Sequence, residues 1–122
     1  MGLALAVGLA GGVGAVARYL VDGAVQERTS GLFPFGTLTV NVAGSLILGV
    51  VAGWVLGGAG SAHVRAIVGA GFCGGLTTWS TASWEAIRLA EEGGAGSGAR
   101  YTLANLGASL LAGAAGLALF LA

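Results

Sequence analysis

Four long apolar stretches dominate the chain and decide what it can fold into. They cover residues 3–21, 36–56, 64–90 and 99–121, and each has roughly the 17 to 25 residues that a helix needs to cross a bilayer. Hydrophobic residues make up 56% of the 122 residues and charged residues only 8%, whereas soluble domains carry about 25% charged residues. The sequence therefore predicts an all-α membrane protein with four transmembrane helices in a single domain, residues 1–122.

Charge and cysteine content exclude several classes of function. Five basic and five acidic residues cancel, so the chain has no basic surface for nucleic acid. The single cysteine, Cys73, can form neither an internal disulfide nor a zinc site. The apolar N-terminus lacks a basic leader region and is expected to remain as the first helix. Because the connections are too short for a catalytic domain, we expect a function within the membrane and no enzyme activity.

The third apolar stretch contains an unusual polar cluster, GFCGGLTTWSTAS at residues 71–83. Arg65 and Arg88 bracket about 34 Å of helix at about 1.5 Å per residue, close to the thickness of the hydrocarbon core. The cluster would then lie near the bilayer centre. Gly74 and Gly75 weaken a helix at that depth, so the pattern predicts a third helix that is broken near the midplane. Broken helices at this depth are typical of channels and transporters.

Further polar residues lie in the other apolar stretches. Asn41 is inside the second stretch, Glu85 follows the cluster, and Tyr101, Asn105 and Ser109 are spaced i, i+4, i+8 on one face of the fourth. Packing between helices explains any one of them, but together they indicate a permeation path. Hydroxyl and amide groups can donate hydrogen bonds, and such donors solvate anions. The sequence therefore predicts a path for a small anion.

Glycines spaced four apart predict close helix packing. The pairs are Gly8 with Gly12, Gly49 with Gly53, Gly53 with Gly57, and Gly71 with Gly75. Small residues at this spacing let helix backbones approach when lipid supplies no hydrophobic driving force.

Several blocks of this sequence resemble the Fluc (CrcB) family of fluoride channels. The blocks are GGVGAVARY at 11–19, FGTLTVNVAGSLILG at 35–49, GFCGGLTTWSTASWE at 71–85 and the row Tyr101, Asn105 and Ser109. The resemblance implies a fluoride-selective channel that passively exports fluoride across the cell membrane of a prokaryote. It also implies an antiparallel dimer of four-helix subunits, with two fluoride pores and a structural sodium ion on the twofold axis.

The resemblance also implies roles for individual residues. The sodium ion would be held by the backbone carbonyls of Gly74 and Thr77 from both subunits, and Arg18 would lie at the vestibule. The implied pore residues are Thr37, Asn41, Trp79, Ser80, Thr81, Ala82, Glu85, Tyr101, Asn105 and Ser109.

One departure from the family leaves two functions open. The family carries two phenylalanines in the pattern TTFSTFS, whose positive ring edges face the anion, but this chain has TTWSTAS, with Trp79 and Ala82. The substitution is either harmless or leaves one of the two pores altered or silent. The chain is then either a self-sufficient homodimeric channel or a non-conducting or half-conducting subunit of a heterodimer.

The arginine distribution bears on the same alternatives. Arg28 and Arg100 are in the loops after the first and third helices, Arg18 and Arg88 are near that face, and only Arg65 is on the other. This bias favours a fixed orientation, which would require an oppositely oriented, related partner, whereas dual topology would allow a homodimer. A small multidrug-type exporter is a weaker alternative, because the first helix has no acidic residue before Asp22.

Overall fold

The computed structural model describes residues 1–121, which form helices and short connections. Helix α1 spans Gly2–Arg28, α2 spans Phe35–Leu56 and α6 spans Ala95–Leu121. These three helices are long and apolar enough to cross a membrane. Helix α1 continues beyond the predicted end at residue 21, and α6 begins before the predicted start at residue 99. The GGAGSGA part of the last connection is therefore mostly helical, with a turn at Gly94, where φ is +93°.

The segment between α2 and α6 is a series of shorter helical pieces. Helix α3 spans Ala62–Val64, a π-helical segment spans Arg65–Cys73, α4 spans Gly74–Leu76 and α5 spans Ser80–Gly93. The chain leaves the helix at Thr77, whose φ of −84° and ψ of 161° are extended. The interruption predicted for this segment is therefore present, but Gly74 and Gly75 are helical and the chain breaks after them.

Two pairs of helical elements pack through glycines. Helix α2 packs along α6, and α1 packs along the π-helical segment and α4. An added Cβ atom at Gly53 would lie 2.8 Å from the Leu117 carbonyl oxygen, and one at Gly71 would lie 2.8 Å from the Val7 carbonyl oxygen. Glycines are needed at these positions because a side chain would separate the backbones.

Most of the predicted glycine pairs lie at these contacts, but one does not. Gly49 packs against Gly113, and Gly75 packs against Gly11. An added Cβ atom at Gly8 or Gly12 would have no neighbour within 4 Å. The prediction that Gly8 and Gly12 form a packing surface is therefore wrong for contacts within this chain, and Gly11 and Gly14 contact α4 and the π-helical segment instead.

Candidate functional site

An open groove runs along one face of the helices, beside the break in the chain. It has a volume of about 1070 Å³ and is lined by parts of α2, the π-helical segment, α5 and α6. Its polar lining residues include Asn41, Thr77, Thr78, Asn105 and Ser109. Polar groups from α2 and from α6, which are far apart in the sequence, therefore meet the broken segment in one groove.

The break between α4 and α5 has its backbone groups satisfied by side chains. The Thr77 N–H donates to the Cys73 carbonyl at 2.9 Å, which ends the helical bonding. The Thr78 N–H donates to Asn41 Oδ1 at 2.7 Å, and Asn41 Nδ2 donates to the Thr78 carbonyl at 3.0 Å. One asparagine amide thus pairs with both polar groups of the same residue, as a neighbouring peptide would.

Asn41 also joins the break to helix α6. Its Nδ2 donates a second hydrogen bond to Asn105 Oδ1 at 3.1 Å, and both asparagines are only 8% exposed. An amide nitrogen carries two hydrogens, so both N–H groups of Asn41 are engaged. The side chain is fixed in one orientation between α2, the break and α6.

The row predicted on the fourth apolar stretch is a chain of hydrogen bonds along α6. Asn105 Nδ2 donates to the Tyr101 hydroxyl at 3.2 Å, and the Ser109 hydroxyl donates to Asn105 Oδ1 at 3.5 Å. The Tyr101 hydroxyl in turn donates to the Glu85 carboxylate at 3.4 Å. Buried Thr37 lies close to Glu85 and Tyr101. A connected polar row therefore runs from Glu85 through Tyr101 and Asn105 to Asn41 and the break.

Trp79 and Ala82 also line this groove. The Trp79 side chain is 81% exposed at the break. Ala82 follows it on the first turn of α5 and contributes only a methyl group to the lining. Of these two positions, only Trp79 supplies an aromatic ring to the groove.

Ser80, Thr81 and Arg18 lie away from the groove lining. Ser80 and Thr81 are exposed on the first turn of α5, and the Thr81 backbone N–H donates to the Thr78 hydroxyl oxygen at 3.2 Å. Arg18 is half-buried on α1. Within the single chain, these three residues are not brought together with the polar row, so their part in a pore stays a prediction.

Thr78 is a site residue that the sequence did not single out. It is one of five hydroxyl residues in the cluster, but its hydroxyl oxygen accepts the Thr81 N–H in the first turn of α5 and its backbone pairs with Asn41. A threonine or serine just before a helix often accepts a hydrogen bond from an N–H of the first turn. The position of Thr78 shortly before the helical sequence STASWE is the feature from which this role could be predicted.

A smaller pocket of about 190 Å³ has Glu85 in its lining. It is lined by residues from the end of α1, the following loop and α5, including Gln26, Phe33 and Arg88. Arg88 is paired with Glu92 at 3.4 Å. Glu85 therefore lines this pocket and is also the first member of the polar row, through its hydrogen bond from Tyr101.

Known proteins match nearly the whole chain. The family model described as CrcB-like protein, Camphor Resistance (CrcB), matches residues 5–117. The protein named Fluoride-specific ion channel FluC 1 of Leifsonia xyli subsp. xyli is 48% identical over 121 residues, which cover 96% of this chain and 84% of that protein.

Two further relatives match this chain over most of its length and over most of their own. Fluoride-specific ion channel FluC of Rhizobium meliloti is 44% identical over 94% of this chain and 93% of its own length. Fluoride-specific ion channel FluC 2 of Cutibacterium acnes is 47% identical over 91% of each. The resemblance seen in the sequence blocks is confirmed, and the chain is a multi-pass membrane protein that belongs to the CrcB-like family.

Proposed function

We propose that this chain is a subunit of a fluoride-selective channel that lets fluoride leave the cytoplasm passively. The observation that carries the proposal is the hydrogen-bonded polar row from Glu85 to Asn41 inside an otherwise apolar set of helices. Membership of a family whose curated relatives are named fluoride-specific ion channels supports the choice of ion.

The chemistry of the groove suits a small anion. Fluoride gives up a costly hydration shell only where fixed donors replace the water. Asn105 has a second N–H beyond the one given to Tyr101, and the Thr78 hydroxyl and the Trp79 indole N–H lie in the same lining.

We propose further that the segment 62–93 is a fourth, broken membrane span and that a second subunit covers the groove in an antiparallel dimer. A groove of this size beside an 81% exposed Trp79 leaves buried polar groups close to lipid unless another subunit closes it. A heterodimer is the second candidate, and Ala82 favours it, because a related subunit could supply the aromatic ring that this position lacks.

A structural sodium ion fits the residues at the break. Unwound backbone carbonyls are typical sodium ligands in membrane proteins. The Gly74 carbonyl loses its helical donor because the Thr78 N–H goes to Asn41, and the Thr77 carbonyl loses its donor because the Thr81 N–H goes to Thr78. Both residues line the groove. We propose that these two carbonyls would hold the ion, which would supply a fixed positive charge at the subunit contact.

Growth in fluoride tests the proposed function in cells. Expressed in a bacterial strain from which the fluoride channel genes have been deleted, the chain is expected to restore growth at fluoride concentrations that stop the strain carrying an empty vector. If the protein is found in the membrane fraction but growth is not restored, the self-sufficient channel is wrong. Rescue only when a related subunit is expressed together with it would support the heterodimer.

A further inference from the structure

The Gly74 and Thr77 carbonyls, which are proposed to bind the cation, lack their helical hydrogen-bond donors. Two side chains accept those donors instead. In a continuous α-helix, each carbonyl accepts a hydrogen bond from the N–H four residues later. The Gly74 carbonyl would then pair with the Thr78 N–H, and the Thr77 carbonyl with the Thr81 N–H. In the structure the first N–H donates to Asn41 Oδ1 at 2.7 Å and the second to Thr78 Oγ1 at 3.2 Å.

We infer that Asn41 and Thr78 are positioning residues that keep the Gly74 and Thr77 carbonyls available to the cation. Each side chain accepts the N–H that would otherwise close the helix over one of these carbonyls. The inference rests on the proposed sodium site and assigns the residues that hold it open. Asn41 would thus act on the cation indirectly, by fixing the backbone at the break.

The contacts of Asn41 fit this role closely. Its Oδ1 accepts the Thr78 N–H, and one Nδ2 hydrogen satisfies the Thr78 carbonyl, so the extended backbone at Thr78 is held on both sides. Its other Nδ2 hydrogen is held by Asn105. All three bonds are made inside the subunit, and the residue is 8% exposed. Removing the amide should therefore disturb first the backbone conformation of the break.

Thr78 has the same role for the Thr77 carbonyl. Its Oγ1 accepts the Thr81 N–H in the first turn of α5, while its backbone is held by Asn41. Serine can keep this acceptor, whereas valine has nearly the same shape as threonine and no oxygen. The pair Thr78→Ser and Thr78→Val therefore separates the acceptor from the volume of the side chain.

Sodium-dependent thermal stability of the purified protein tests the inference without relying on flux. A ligand that binds only the folded state raises the melting temperature with its concentration, so a sodium titration against N-methylglucamine gives a midpoint for each variant. Loss of a buried hydrogen bond costs about 1–3 kcal/mol, so we expect Thr78→Val to raise the sodium midpoint by about tenfold. Thr78→Ser should stay within about twofold of the original chain.

Asn41→Asp provides a second variant, because aspartate keeps the Oδ acceptor for the Thr78 N–H. Aspartate loses the Nδ2 donor to the Thr78 carbonyl, whereas Asn41→Leu loses the acceptor as well, so the sodium midpoint of Asn41→Asp should lie closer to that of the original chain than the midpoint of Asn41→Leu. Thr39→Val is the matched control, since the Thr39 hydroxyl donates only to the Phe35 carbonyl of its own helix at 2.7 Å. Its midpoint should not move.

The outcomes separate this inference from the proposed function. If Thr78→Val and Thr78→Ser have the same sodium midpoint, or if Asn41→Asp and Asn41→Leu have the same midpoint, the positioning role is wrong while the sodium site stands. If the original chain gains no stability from sodium, the proposed sodium site is wrong and this inference falls with it. Fluoride flux measured on the same preparations reports separately on the channel.

Discussion

Replacing Asn41 by aspartate is expected to lower fluoride flux by at least about a hundredfold. Asn41 Oδ1 accepts the Thr78 N–H at 2.7 Å, and Asn41 lies beside Asn105 in the polar row, so an ionised carboxylate at this position would place a negative charge on the proposed path. Two like charges 4 Å apart near a protein surface repel by about 4 kcal/mol. An anion passing along the polar row would meet that barrier, and about 1.4 kcal/mol corresponds to a tenfold change in rate.

Flux from liposomes, normalised to the amount of protein that elutes as a single species, measures this effect. Asn41→Asp preserves the size of the side chain, and an unchanged sodium response of the variant would show that the break is intact. Flux within about threefold of the original chain, a difference of less than about 1 kcal/mol, would mean that fluoride does not pass close to Asn41.

Gly14→Ala is expected to destabilise the folded subunit strongly, whereas Gly12→Ala should not. An added Cβ atom at Gly14 would lie 2.9 Å from the Leu76 backbone nitrogen and would also collide with the Phe72 carbonyl oxygen. These are backbone atoms, so the broken segment would have to move away from α1. Overpacking of this kind costs about 1–3 kcal/mol.

Gly12 is the matched control on the same helix, because a Cβ atom there would have no neighbour within 4 Å. Alanine is also the better helix former, so Gly12→Ala should leave thermal stability in detergent unchanged or slightly higher. Equal melting temperatures for the two variants would contradict the close packing of α1 against α4 and the π-helical segment.

The sequence was sufficient to predict the helical membrane fold, because apolar length and glycine spacing are local properties. Gly49, Gly53, Gly71 and Gly75 all lie at contacts between helices. The spacing alone does not say which side of a helix meets a neighbour. For that reason the spacing predicts packing at Gly8 and Gly12, whereas Gly11 and Gly14 are the glycines of this helix that contact the π-helical segment and α4.

The position of the break could not be read from the local sequence. The Gly74 and Gly75 pair lowers helix propensity, but Gly75 is required for packing against Gly11, and both residues remain helical. The break follows at Thr77 because Asn41, 37 residues away from Thr78 in the chain, takes the backbone N–H of that residue. A long-range side-chain bond of this kind leaves no periodic signal.

The polar row was partly predictable because three of its members follow a local helical period. Tyr101, Asn105 and Ser109 follow the helical period, so a shared face could be expected from their spacing, and they are joined by hydrogen bonds along α6. The bond from Asn105 to Asn41 spans 64 positions in the chain. The packing of α2 against α6 brings these two asparagines together, and sequence spacing does not specify which pairs will meet.

Release of fluoride and chloride from liposomes that contain the purified chain alone tests the central claim most directly. The vesicles are loaded with the potassium salts of both anions, and sodium is present on both sides of the membrane. A potassium ionophore lets potassium leave with the anion and so removes the opposing voltage, and ion-selective electrodes follow each anion in the external solution. We expect rapid release of fluoride while chloride is retained until detergent is added. Equal release of both anions, or retention of both by protein that elutes as a folded species, would contradict a fluoride-selective channel formed by this chain.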